Sequence, residues 1–105
     1  VVIIETPTFT RRLASLLSDD EYLEVQVELI QNPEAGKLIP GGEGLRKLRW
    51  TREGKGKRGG VRIIYYWVMS EDQIGMLLIY SKNEQDNFTP EQLKALRRVI
   101  REQFS

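Results

Sequence analysis

The chain reads as a two-layer α+β domain with the element order β-α-α-β-β-β-α and helices packed on one face of the sheet. Three observations predict this. Two helix-start signals stand back to back in the first third, at Thr6-Pro7 and at Ser18-Asp19-Asp20-Glu21. Two long apolar, β-branched runs follow, Val61–Met69 and Ile74–Lys82, separated by the polar break Ser70-Glu71-Asp72-Gln73. A third start signal, Thr89-Pro90-Glu91-Gln92, opens a closing amphipathic segment.

Val1 to Glu5 is β-branched and forms a short buried strand, which Pro7 stops. Thr6 caps the first helix, with Pro7 at its first position, and Phe9, Leu13, Leu16 and Leu17 recur at helical spacing. Ser18 caps the second, whose apolar stripe is Tyr22, Val25, Leu29 and Ile30. Asn32-Pro33 ends it, because the residue before proline is pushed out of the helical region. With almost no loop between them, the two helices form an antiparallel hairpin.

Residues 33–44 are glycine- and proline-rich and read as loop. A strand runs from Leu45 to Thr51, where Leu48 and Trp50 alternate with Lys47 and Arg49. The two long apolar runs pair as a hairpin, giving an antiparallel meander of strands 2 to 4. Both are apolar on both faces, which places them in the middle of the sheet. In the last helix Leu93, Leu96, Ile100 and Phe104 make the apolar face, and Arg97, Arg98 and Arg101 lie largely off it. The 105 residues suffice for one domain with one core, spanning 1–105.

Composition narrows the chemistry. There is no cysteine, which excludes disulfides and thiolate metal sites, and no histidine, which removes the commonest metal ligand and near-neutral acid/base group. Catalysis by side chains therefore falls to Lys, Arg, Glu, Asp or Tyr. No apolar run approaches the ~20 residues of a membrane span, and the apolar start is cut off at Glu5, too early for a signal segment. The expected setting is cytoplasmic.

Charge is unevenly distributed. Residues 36–62 hold nine Lys or Arg against two acids, a local balance of +7, while residues 1–35 stand at −5 and the whole chain at only +1. Such a strip points first to a polyanion, RNA or DNA. Eight of the nine belong to the basic loop and its flanks: Arg46, Lys47, Arg49, Arg52, Lys55, Lys57, Arg58 and Arg62. The competing explanation is a solvated hairpin kept soluble by its charge. Against it, Gly54, Gly56, Gly59 and Gly60 let backbone amides approach an anion, and cations from adjacent elements can converge. The spacing is not that of a P-loop. Arg62 shares one side of its strand with Ile64, Tyr66 and Val68, and Lys82 falls on the side of Leu78 and Tyr80. Each either snorkels at a strand end or reaches toward a phosphate. Glu84, by default a turn cap or a partner of Lys82, is one of few carboxylates near the basic face. An aromatic on the open face can stack on a base.

The second half of the chain resembles the RelE/ParE superfamily of toxins from bacterial toxin–antitoxin systems, and most of all its RelE-like HigB branch. The likeness runs from Gly44-Leu45-Arg46-Lys47-Leu48-Arg49-Trp50 through Gly54-Lys55-Gly56-Lys57-Arg58-Gly59-Gly60-Val61-Arg62-Ile63-Ile64-Tyr65-Tyr66. It continues through Leu78-Ile79-Tyr80-Ser81-Lys82-Asn83-Glu84 to Leu93. It implies a ribosome-dependent endoribonuclease that cuts mRNA by metal-free transesterification, without a cofactor, and is silenced by a cognate antitoxin, expected to be of helix-turn-helix type. Lys55, Lys57, Arg62 and Lys82 match the positions from which relatives supply catalytic groups. Lys57, crowded by Lys55 and Arg58, becomes the candidate base, because neighbouring cations disfavour its charged form. Arg62 would grip the phosphate and Lys82 would serve the transition state or the leaving group. Glu84 is the reserve base. Arg46, Lys47, Arg49, Lys55 and Arg58 would contact RNA. So would Phe88, which stands near where many relatives carry a tyrosine. Two other readings of the same strip are a ParE-like inhibitor of DNA gyrase and a non-catalytic RNA- or ribosome-binding module.

Overall fold

The structure, a computed structural model, describes residues 1–51, 60–85 and 87–104. Strand β1 (Val2–Glu5) leads into α1 (Pro7–Leu16) and α2 (Asp19–Gln31), then a short strand β2 (Lys37–Leu38). Strands β3 (Arg46–Thr51), β4 (Gly60–Val68) and β5 (Gln73–Ser81) precede α3 (Pro90–Val99), which continues as a π-helical turn, Ile100–Phe104. The five strands form one sheet in the order β1-β5-β4-β3-β2. All neighbours are antiparallel except β1, which runs parallel to β5.

The helix starts form as their sequences dictate. Thr6 Oγ1 accepts from Phe9 N at 3.1 Å, and the same buried hydroxyl donates to Leu77 O at 2.7 Å, tying the cap of α1 to β5. Ser18 with Glu21 and Thr89 with Gln92 each complete a reciprocal capping box, satisfying backbone donors that a helix end otherwise orphans. Asp72, at φ 52°, takes the left-handed conformation that closes the turn from β4 to β5.

The α+β class and the order of the major elements hold; the layering differs from expectation. Phe9, Leu16, Leu17, Val25 and Leu29 of the helical hairpin pack on one face, against Leu48, Val61, Ile63, Tyr65, Ile74, Met76 and Ile79. Ile100, Phe104 and, less buried, Leu96 pack on the other, with Leu45, Ile64, Leu77 and Tyr80. Helices thus cover both faces, in three layers rather than two. The apolar character of β4 and β5 on both sides already required this, since neither face of a central strand is then content with water. The pairing register shifts between Ile64 and Tyr65, opposite Leu77. This bulge lets the consecutive Leu77 and Leu78 both serve the α3 face. Gly75 lies beneath the Phe104 ring, where an added Cβ would come within 2.6 Å of the ring, so only glycine admits that contact. Strand β2, inside the expected loop, adds a fifth, edge strand beside β3.

Candidate functional site

The α3 face of the sheet is also where the cations meet. In the β3–β4 ladder Lys47 pairs with Ile64 and Arg49 with Arg62, and in the β4–β5 ladder Arg62 pairs with Tyr80. Directly opposed residues of an antiparallel pair share a face. Arg49, Arg62 and Tyr80 therefore form a row across three strands, near the end of the sheet where β3 finishes and β4 begins.

Arg62 is the most constrained of these groups. It is only 9% exposed, Nη1 donates to Val61 O at 3.2 Å, and the buried Nε has no hydrogen-bond partner among the described residues. None of the ion pairs among the described residues joins Arg62 to a carboxylate. A buried guanidinium is costly unless an anion or several acceptors answer it, so this position favours an incoming oxyanion. Gly60 keeps the space open: a Cβ there would stand 3.1 Å from Arg62 Nη1.

Lys82 begins the turn after β5, and its backbone N donates to Gly60 O at 3.0 Å. Its exposed side chain thus starts beside the first residue of β4, two positions along from Arg62. Lys55, Lys57 and Arg58 lie outside the described residues.

Glu84 faces a different task. One carboxylate oxygen accepts from Ser81 N at 3.0 Å, and the other accepts from Arg12 of α1 in an ion pair. The Ser81 amide first, and then Arg12, hold its carboxyl below the usual carboxylate range. A carboxylate so stabilised in its charged form is a weaker base. Glu84 closes the turn and fastens it to the helical hairpin, and Arg12 as its partner was not foreseen because the contact spans most of the chain.

Arg46, next in sequence to Lys47, points to the opposite face by alternation and is absorbed in local structure. It donates to Gly36 O at 2.8 Å and pairs with Glu34 at 3.5 Å. The sheet therefore separates it from Lys47 and Arg49. Tyr65, on that same face, donates to Pro33 O at 2.6 Å and accepts from Gly36 N at 2.8 Å; burial raises its pKa. Both residues pin the 33–36 loop.

Phe88 packs edge-on against Tyr80, ring centroids 5.8 Å apart. It also lines a cavity of about 420 Å³ between β3, the segment after β2 and the start of α3. Lys47 and Arg49 are in that wall, together with Ile39, Asn87 and Leu93. Sequence reasoning missed the last three, because their convergence depends on α3 crossing this face. Apolar walls under a cationic rim suit a ligand with a flat unsaturated part and a phosphate.

A small α+β domain with a cationic, aromatic-edged concavity at one end of a mainly antiparallel sheet is thus the class defined by fold and site. The family model described as the RelE toxin of the RelE/RelB toxin–antitoxin system matches residues 2–105. The chain belongs to this toxin family. Among solved structures it is similar to a chain of the intact Escherichia coli RelBE toxin–antitoxin complex, with a TM-score of 0.54 and 15% identity over 76% of this chain and 94% of that one. It is likewise similar to the isolated Escherichia coli RelE toxin, with a TM-score of 0.52 and 17% identity over 93% of this chain and 97% of that one. At these identities the likeness is one of fold.

Proposed function

We propose that the protein is a ribosome-dependent mRNA endoribonuclease whose cutting site lies where β4 begins and β5 ends. The observation that supports this most strongly is Arg62, buried, without a carboxylate partner among the described residues, and opposed by Arg49. The reaction is transesterification. The ribose 2′-oxygen attacks the adjacent phosphorus, its proton passes to a base, the bond to the 5′-oxygen breaks, and that oxygen takes up a proton. The products are a 2′,3′-cyclic phosphate and a 5′-hydroxyl end.

Each step needs a group of defined chemistry. Arg62 holds the phosphate oxygens and stabilises the charge that grows on them. Lys82 neutralises the same centre or protonates the leaving oxygen. Lys57, among other cations, is the base. Glu84 is engaged as a turn cap and is left out of the proton transfers. Arg49, Lys47, Lys55, Arg58 and Phe88 hold the strand. An antitoxin, of helix-turn-helix type, restrains the enzyme in the cytoplasm by covering the basic face.

The test is to add the purified protein to mRNA with and without translating ribosomes and to map the new ends. Cuts in step with codons, seen only with ribosomes, are expected. Intact mRNA on ribosomes that bind the protein tightly would refute the proposal, and inhibition of gyrase supercoiling instead would transfer it to the ParE-like reading.

A further inference from the structure

Helix α2 presents apolar side chains on two sides. Val25 and Leu29 are buried against the sheet, as an amphipathic helix requires. Leu23, Val27 and Ile30 are 58%, 44% and 43% exposed. They recur at i, i+4 and i+7, so they make a second stripe on the solvent side. Beside that stripe lies a groove of about 400 Å³, lined by Leu23, Glu24, Val27, Glu28, Gln31 and Trp50. Trp50 is half-buried and packs on the helical-hairpin side of the sheet. The groove is therefore across the sheet from Arg49 and Arg62, which lie on the α3 face.

The charge around the groove has one sign. From Leu13 to Gly36 the chain holds six acids and no base. No ion pair among the described residues engages Asp19, Asp20, Glu24 or Glu28. Glu28 stands in the last turn of α2, where the negative end of the helix dipole disfavours a carboxylate and no basic residue offsets it. We infer that this groove is a docking site for a cation-flanked amphipathic helix of a partner protein. The apolar side of that helix meets Leu23, Val27 and Trp50, and its Lys or Arg flanks meet Glu24 and Glu28. A straight apolar ridge on α2 suits a second helix laid alongside it. Trp50 supplies a large anchor at the seam, and apolar surface rimmed by charge marks a protein contact. Charge complementarity favours this occupant over others. RNA and an anionic membrane are repelled by the acids, and a second copy would bring the same acidic helix against this one. The inference stands on fold and charge and does not require the nuclease reading.

Three designed peptides test it. The first has about 15 residues, leucines at i, i+3, i+4 and i+7, and lysines on both flanks. The second carries glutamates in place of the lysines, and the third has the composition of the first in scrambled order. A Trp67→Phe background leaves Trp50 as the sole tryptophan, whose fluorescence reports docking. The lysine-flanked peptide should move Trp50 emission to shorter wavelength and bind about tenfold or more tightly than either control. Leu23→Ser with Val27→Ser keeps every acid and should weaken that binding about tenfold. Glu24→Lys with Glu28→Lys should reverse the preference, toward the glutamate-flanked peptide. All four positions are exposed, and circular dichroism checks that each variant folds. Equal binding of ordered and scrambled peptides would reduce the face to loose ion attraction and overturn the inference. An unmoved Trp50 signal with all three peptides would overturn it too. A wild-type dimer in sedimentation that Leu23→Ser with Val27→Ser dissolves would assign the stripe to a second copy, with the same consequence.

Discussion

Arg49 and Arg62 face each other across the β3–β4 ladder, two guanidinium side chains at directly opposed positions on one face of the sheet. Like charges so placed destabilise a strand pair by a few tenths to about 1 kcal/mol. The fold carries that cost at the point where an anionic strand would relieve it. Replacing Arg49 by Thr should therefore leave stability unchanged or raise it by up to about 0.5 kcal/mol, while weakening RNA binding. Urea denaturation and a filter-binding assay over a salt series give both numbers. The salt slope should become shallower by about one unit. A clear loss of stability would mean that Arg49 holds the fold rather than the ligand.

Gly60 leaves room for the Arg62 guanidinium. Gly60→Ala places a methyl 3.1 Å from Nη1 and should shift that group by a fraction of an ångström. Cleavage should fall about tenfold to a hundredfold, since small misplacements of a positioned group are expensive in rate. The melting temperature should change by only a few degrees. Equal cleavage by Gly60→Ala and wild type would show that the position of this guanidinium is not critical.

Glu84 should matter more to stability than to chemistry. Its folded-state pKa is depressed, so the stabilisation it brings is present above the ordinary carboxylate pKa and is lost as pH falls through the folded value. Glu84→Gln should cost about 0.5 kcal/mol at pH 7, a figure kept small because the ion pair with Arg12 is solvent-exposed. The cost should shrink as the pH falls below the ordinary carboxylate range and Glu84 takes up its proton, as read by denaturant titrations at several pH values. Cleavage should stay within about threefold of wild type. A hundredfold loss of rate in a folded variant would restore Glu84 as a base.

Tyr65→Phe removes a hydroxyl that bonds both Pro33 O and Gly36 N. The orphaned amide and carbonyl should cost about 1–3 kcal/mol, measurable by chemical denaturation. No loss would mean that the 33–36 loop is held by other contacts, Arg46 foremost.

Local chemistry made much of this readable from the chain. The helix caps at Thr6, Ser18 and Thr89, the strand alternation around Leu48 and Trp50, and the pairing of Arg62 with its sheet face are short-range signals, and each is present. The grouping of Lys47 with Arg49 followed from alternation, which also separates Arg46 from them; only the structure makes plain how firmly Arg46 is tied to the opposite face. What escaped depends on contacts far apart in sequence. Helix α3 covers the second face because Gly75 admits Phe104, the Leu77 bulge feeds that face, and Arg12 reaches Glu84. Strand β2 is two residues long and owes its existence to β3 beside it. The basic residues Lys55, Lys57 and Arg58 lie outside the described residues, so their part in the site stays a proposal.

The central claim is that Arg62 grips the scissile phosphate. Single-turnover cleavage of a defined mRNA on programmed ribosomes, comparing wild type with Arg62→Ala, tests it most directly. A fall of about 10²–10³-fold in rate is expected, with ribosome binding largely retained and 2′,3′-cyclic phosphate ends on the residual product. Cleavage by folded Arg62→Ala at the wild-type rate would contradict it.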